Sequence, residues 1–182
     1  MRDLFVSYFE KSTIVLPTSV LVVLTLVFFS GTALFVWLFG SRKGLKWSAV
    51  LLLVEYLVFL IFMVLLLRSV RAERTFYFIP FWSYRKIGDD PLLLAQVILN
   101  VLAYVPVGLL LGFAIDRIKW WMVLAAGCAF SIIMEALQFL TRRGFAESDD
   151  VFHNTLGCLI GYGLFVAVSC AVRGVSRKRR RV

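Results

Sequence analysis

Long apolar runs alternate along this chain with short segments that carry charged residues and glycine. Each run is long enough to cross the ~30 Å hydrocarbon layer of a bilayer at ~1.5 Å of helix per residue. The pattern predicts an all-α, polytopic membrane bundle of about five transmembrane helices, forming a single domain over residues 1–182. The predicted spans are Thr13–Phe39, Trp47–Leu67, Leu92–Ile115, Trp120–Thr141 and Val151–Val172.

Polar residues recur at helical spacing within the last three spans. The fourth span and its end carry Ser131, Glu135, Gln138 and Arg142 at steps of four, three and four residues, which places them on one helix face. The same steps recur at the start of the fifth span, at Asp150, Asn154, Gly157 and Gly161. The third span has a similar polar edge with residues four apart: Gln96, Asn100, Tyr104, Gly108 and Gly112.

These polar edges are expected to meet at one side of the membrane. The third span begins on the side where the fourth ends and the fifth begins, so their polar residues share one leaflet. Above them lies the arginine-rich segment between the second and third spans. The sequence therefore predicts a polar pocket beneath Arg68, Arg71, Arg74, Arg142 and Arg143. The glycine pairs, in contrast, indicate close helix packing.

Composition agrees with a membrane protein and narrows its partners. The chain is 61% hydrophobic with a mean hydropathy of +0.89, and its net charge is +9. Such a surplus favours contact with anionic phospholipid, above all at the basic C-terminal tail, and a small positive-inside bias predicts a cytoplasmic C-terminus. No nucleic-acid motif accompanies the charge. Residues 1–11 contain acidic side chains and precede a long apolar run, which argues against a cleavable signal peptide.

The sequence contains no pattern typical of a metal or cofactor site. Cys128, Cys158 and Cys170 lie inside apolar runs without metal-ligand spacing, and His153 is the one histidine. These thiols are expected to be packed and reduced.

Several spaced motifs resemble the VanZ-like family. They comprise N-x5-P-x-G (Asn100, Pro106, Gly108), S-x3-E-x2-Q (Ser131, Glu135, Gln138), an R…D-D-x3-N-T-x-G-x3-G element (Arg143, Asp149, Asp150, Asn154, Thr155, Gly157, Gly161) and an upstream R-x5-P-F element (Arg74, Pro80, Phe81). Tyr77 stands inside the upstream element where the family often has Asn. The resemblance covers a VanZ-like core of residues 74–163.

This resemblance implies a bacterial cell-envelope protein of the cytoplasmic membrane, in a family named for low-level resistance to teicoplanin, a lipidated glycopeptide. The first hypothesis is that the pocket binds or remodels an amphiphile, either a lipoglycopeptide or an anionic envelope lipid. Its candidate ligand-binding residues are Arg74, Asn100, Glu135, Gln138, Arg142, Arg143, Asp149, Asp150 and Asn154.

Two other hypotheses stay open from the residues alone. In the first, the protein is a lipid-modifying enzyme that uses Glu135, Asp150 and His153 for acid–base or metal-assisted chemistry. In the second, the polar residues only lock the helices together through interhelical hydrogen bonds. A small transporter is less favoured, because the chain contains no internal repeat.

Overall fold

The computed structural model describes residues 42–63, 70–74, 76–86, 88 and 90–179. The first predicted span, Thr13–Phe39, lies outside the described residues, as do Arg68 and the last residues of the basic tail. The described elements follow the order α1 (Arg42–Ile61), β1 (Phe76–Tyr77), α2 (Trp82–Lys86), α3 (Pro91–Ala114), α4 (Trp120–Thr141), β2 (Ala146–Glu147) and α5 (Ser148–Arg179).

Four of the described helices are long and apolar enough to span a membrane. They contribute the segments Gly44–Ile61, Leu92–Ala114, Trp120–Thr141 and Ser148–Arg173. The prediction of an all-α, multi-pass membrane bundle is therefore confirmed for this part of the chain.

The helix boundaries agree closely with the prediction for α3 and α4 and less closely for α1 and α5. Helix α4 has the predicted bounds, and α3 starts one residue early because Pro91 occupies its first turn after the Asp90 cap, whose carboxylate accepts a hydrogen bond from Leu92 N at 3.0 Å. Helices α1 and α5 begin before the predicted Trp47 and Val151. Charged residues at the water-facing end of a membrane helix extend it, so hydropathy alone places these starts too late.

Among the described helices, α3 and α5 form the closest pair, and they meet through the glycines whose spacing indicates close packing. A Cβ atom added at Gly108 would lie 1.8 Å from the carbonyl oxygen of Cys158, and one added at Gly161 would lie 1.9 Å from that of Val105. In both places a glycine of one helix lies against the backbone of the other helix, with no room for a side chain between them. The two helices can approach this closely because glycine has no Cβ atom. This packing fixes the relative rotation of α3 and α5.

Helices α1 and α4 complete the described bundle. Tyr56 of α1 donates a hydrogen bond to the carbonyl oxygen of Ala103 in α3 at 2.8 Å. On α4, Gly127 packs against the side chain of Cys158 in α5. At the end of the bundle opposite the arginine-rich segment, Lys46 forms an ion pair with Asp116.

The other end of the bundle, hereafter the loop end, carries residues 70–90 and 142–147. These two segments pair as short parallel strands, with Phe76 opposite Ala146 and Tyr77 opposite Glu147. Arg71 N also donates to the carbonyl oxygen of Arg142 at 2.8 Å. The loop end is therefore an ordered layer, held by backbone hydrogen bonds, that covers the polar ends of α3, α4 and α5.

Candidate functional site

The polar edges of α3, α4 and α5 meet beneath the loop end. Asn100 of α3 donates from Nδ2 to Oδ1 of Asp150 in α5 at 2.6 Å. Asn154, one turn further along α5, donates from Nδ2 to Oγ of Ser131 in α4 at 2.8 Å. The prediction that three helices bring these side chains together in one half of the bundle is confirmed.

We refer to the buried polar side chains of this region as the polar cluster: Ser131, Glu135, Gln138, Glu147, Asp149, Asp150, His153 and Asn154, each at most 7% exposed, with the half-buried Asn100. Burying so many polar groups is unfavourable unless each finds partners. The hydrogen bonds within the cluster supply most of them.

Glu135 ties the turn after α4 to the helix. Its Oε2 accepts a hydrogen bond from Glu147 N at 2.9 Å, and its Oε1 lies 3.5 Å from Nε2 of Gln138. The same turn begins with Arg142 in a left-handed conformation (φ 57°), and Arg143 N donates to the carbonyl oxygen of Gln138 at 3.1 Å, as in a Schellman motif. The backbone of both arginines thus ends α4.

Asp149, in the first turn of α5, forms hydrogen bonds to residues 76–86 of the loop end, hereafter the aromatic segment. Its Oδ1 accepts from Phe81 N at 2.6 Å, and its Oδ2 accepts from Ser83 N at 3.1 Å and Ser83 Oγ at 2.6 Å. Phe81 has φ 58°, a region that residues with a side chain rarely adopt. One buried carboxylate therefore stabilises both this strained turn and the start of α2.

His153 connects the polar cluster to the surface of the loop end. Its ring is 1% exposed, its Nε2 lies 2.8 Å from the hydroxyl oxygen of Tyr84, and its Nδ1 lies 4.0 Å from Oδ1 of Asp150. Tyr84 itself is 46% exposed. A row of polar side chains thus runs from the exposed Tyr84 to the buried Asp150, with one hydrogen bond between Tyr84 and His153.

Glu147 is a member of the cluster that the sequence analysis missed. It lies between the fourth and fifth spans and is 4% exposed. Burial is the main reason that the pKa of its carboxyl rises from 4.5 to about 7. The negative charge of Asp150 raises this pKa further. Its position in the run Glu147-Ser148-Asp149-Asp150 was the available signal.

The raised pKa of Glu147 predicts that the protein loses stability as the pH rises. Between pH 4.5 and about 7 the folded state holds a proton on Glu147 that the unfolded state has released, so stability falls across this window and the full loss is present above it. At about 1.4 kcal/mol per pH unit the loss amounts to about 3 kcal/mol. Glu147→Gln should remove it, making the variant more stable than the parent at pH 8 and similar at pH 4.

Thermal unfolding of both proteins in the same detergent at pH 4, 6 and 8 measures this difference. The comparison with Glu147→Gln cancels the titration of the other acids. An equal pH dependence in the two proteins would contradict the assignment.

Exposed arginine side chains lie at the loop end beside the polar cluster. The guanidinium carbon of Arg71 lies 3.6 Å from the ring centroid of Phe145, and that of Arg74 lies 5.9 Å from the ring centroid of Phe139. Arg142 is exposed at the adjacent turn. Among the described residues, none of these three guanidinium groups forms an ion pair. We call Arg71, Arg74 and Arg142 the arginine rim.

Exposed aromatic side chains flank the arginine rim. Phe76, Phe78 and Phe81 are each more than half exposed, while Tyr77 stacks on Trp82 with ring centroids 4.8 Å apart. Aromatic rings interleaved with arginine are typical of the headgroup level of a bilayer. Of the predicted candidate residues, the acids and amides form a group joined by hydrogen bonds, Arg74 and Arg142 are exposed, and Arg143 is half-buried.

Within the part of the chain that the structure describes, no group of three or more His, Cys, Asp and Glu side chains can hold a metal ion. The carboxylates of the cluster are instead engaged by backbone N–H groups and amide side chains.

A family model described as VanZ/LLP1 matches residues 50–169, which is more than half of the chain. The match includes every residue of the polar cluster and of the arginine rim. No curated protein and no solved structure matches the chain.

Proposed function

This multi-pass membrane protein belongs to the VanZ/LLP1 family, and we propose that it binds the anionic group of a bacterial cell-envelope amphiphile at its loop end. The amphiphile is a lipid or a lipidated glycopeptide, whose shared chemistry is a phosphate or carboxylate attached to an acyl chain.

The arginine rim is the observation that carries this proposal. Arginine pairs bidentately with phosphate and carboxylate, and it is costly to hold near a bilayer unless it meets such a group or water. Arg71 and Arg74 rest on phenylalanine rings, which orient them without neutralising their charge. An anionic headgroup is the partner that this arrangement fits.

The polar cluster has a supporting part in this proposal. Asp149 fixes the backbone that carries the exposed aromatic rings, and Glu135 fixes the turn that carries Arg142. Both anchors come from membrane helices, so the rim has a defined geometry before any ligand arrives. Such preorganisation lowers the entropic cost of binding.

The test compares two arginines in the same backbone conformation at opposite ends of the bundle. Arg142 and Arg117 are both exposed and have φ 57° and 58°, so glycine relieves the same strain in each. With dioctanoyl phosphatidylglycerol as the probe in detergent, we expect Arg142→Gly to weaken binding about tenfold, corresponding to about 1.4 kcal/mol. Arg117→Gly should leave binding unchanged.

Arg74→Gln extends the test to the other side of the rim and should also weaken phosphatidylglycerol binding. Binding that is equal in the parent, Arg142→Gly and Arg74→Gln would overturn the proposal. It would favour the second candidate, a cluster that only locks helices together, which the mutual hydrogen bonds of Asn100, Asp150, Asn154 and Ser131 support.

Acid–base catalysis on a lipid has weaker geometric support. The 4.0 Å between His153 Nδ1 and Asp150 Oδ1 is longer than the hydrogen bond that orients a catalytic histidine in the known triads. We therefore place binding before catalysis.

A further inference from the structure

The contacts that join Tyr84, His153 and Asp150 determine whether the Tyr84 hydroxyl can donate a hydrogen bond to a ligand or only accept one. Oδ1 of Asp150 already accepts a hydrogen bond from Asn100, and His153 Nδ1 lies 4.0 Å away with no hydrogen-bond partner among the described residues. A carboxylate favours a proton on the nitrogen that faces it, because a lone pair in that place would be repelled.

A proton on Nδ1 leaves Nε2 of the neutral ring as an acceptor. The Tyr84 hydroxyl, 2.8 Å from Nε2, must then donate its single proton to His153. The lone pairs of the Tyr84 oxygen remain free to accept, and the ring is 46% exposed on the loop end. The buried histidine therefore converts an exposed tyrosine from a mixed donor and acceptor into an acceptor.

We propose that the Tyr84 oxygen accepts a hydrogen bond from an ammonium N–H of the bound headgroup, so that the preferred ligand is a zwitterionic amphiphile with a primary amine beside its phosphate or carboxylate. This inference rests on the proposed function and names its ligand class. The arginine rim supplies the anion site, and Tyr84 supplies the site for the donor.

Charge in the neighbourhood agrees with this division. Behind Tyr84 lie the acidic side chains of Asp149 and Asp150, the first of which bonds to the backbone of Ser83. Next to Tyr84 in α2, Arg85 and Lys86 are exposed and add positive charge for the anionic group. A headgroup with adjacent opposite charges fits these two sets of partners better than a purely anionic one.

Two phospholipid probes separate hydrogen bonding from charge. Phosphatidylethanolamine and phosphatidylcholine have the same net charge, but only the primary ammonium of ethanolamine has N–H groups to donate. We expect the parent protein in detergent to bind dioctanoyl phosphatidylethanolamine about tenfold more tightly than dioctanoyl phosphatidylcholine. This ratio corresponds to one hydrogen bond to a charged group.

Tyr84→Phe should abolish this preference and leave the binding of phosphatidylcholine, whose headgroup has no donor, unchanged. Tyr77→Phe is the matched control, because Tyr77 lies on the same segment, is partly exposed, and stacks on Trp82 without a hydroxyl hydrogen bond to a described residue. It should keep the tenfold preference.

This inference would be overturned if the parent bound ethanolamine and choline lipids equally, or if Tyr84→Phe kept the full preference. The proposed function would still stand if phosphatidylglycerol binding were weakened by Arg142→Gly. Insensitivity of all three lipids to both Arg142→Gly and Arg74→Gln would instead overturn the proposed function, and the inference with it.

Discussion

Gly161→Ala is expected to destabilise the protein by about 3 kcal/mol, at the upper end of the usual cost of overpacking. The added Cβ would lie 1.9 Å from the carbonyl oxygen of Val105 and 2.8 Å from the amide nitrogen of Leu109. Both atoms belong to the backbone of α3, so no side chain can rotate away. The two helices must separate along their closest contact.

Gly163→Ala is the control within the same helix. No atom lies within 4 Å of a Cβ built on Gly163, which is exposed on α5. Alanine is favoured over glycine in a helix by about 1 kcal/mol, so this variant should be as stable as the parent or slightly more stable. The two substitutions have identical chemistry and differ only in what the methyl group meets.

Thermal unfolding in one detergent, followed by circular dichroism, measures both variants. A Gly161→Ala protein with the stability of the Gly163→Ala protein would show that α3 and α5 do not pack through these glycines. The same separation would move Asn100 away from Asp150, since they lie on the same two helices. Under the proposed function, loss of lipid binding should therefore accompany the loss of stability.

Asp149→Ala is expected to release the aromatic segment from the bundle. The substitution removes the acceptor of three hydrogen bonds and leaves the N–H groups of Phe81 and Ser83 without it. Leaving a buried donor unsatisfied costs about 1–3 kcal/mol, and the left-handed conformation of Phe81 loses the contact that stabilises it. We expect a loss of about 3 kcal/mol and faster hydrogen exchange in residues 76–86.

Asp90→Ala is the matched control for Asp149→Ala. Asp90 also accepts a backbone hydrogen bond at a helix start, from Leu92 N at 3.0 Å, but it is exposed and makes one such bond. Its removal should cost about 1 kcal/mol. It should leave the exchange of residues 76–86 unchanged.

Hydrogen exchange followed by mass spectrometry distinguishes the two roles. If exchange in residues 76–86 is as slow in Asp149→Ala as in the parent, Asp149 does not hold this segment. In that case its carboxylate becomes available as a direct ligand group, the role for which the sequence analysis selected it. Under the proposed function, release of the segment also lowers the affinity for anionic lipid, because the aromatic rings and the arginine rim lose their common frame.

The sequence predicted the membrane helices and the faces on which their polar residues lie. Both follow from local rules, because span length and helical spacing depend only on residues near one another in the chain. The motifs carried by Asn100, Glu135 and Asn154 also indicated the family, and the glycine pairs indicated the close helix packing that α3 and α5 show.

Other features depend on contacts between segments far apart in the sequence. Spacing along α5 placed Asp149 and Asp150 together in one turn, but it did not show that Asp149 faces the loop end whereas Asp150 faces Asn100 of α3. Glu147 and Tyr84 were missed for the same reason, since each gains its role from a residue on another element.

By itself, then, the sequence determined that this is a multi-helix membrane protein with polar edges on its last three spans. Only the tertiary structure decided that the acids are buried anchors and the arginines an exposed rim. Helical spacing fixes the direction of a side chain on its own helix, whereas burial and hydrogen-bond partners depend on which segment covers that helix.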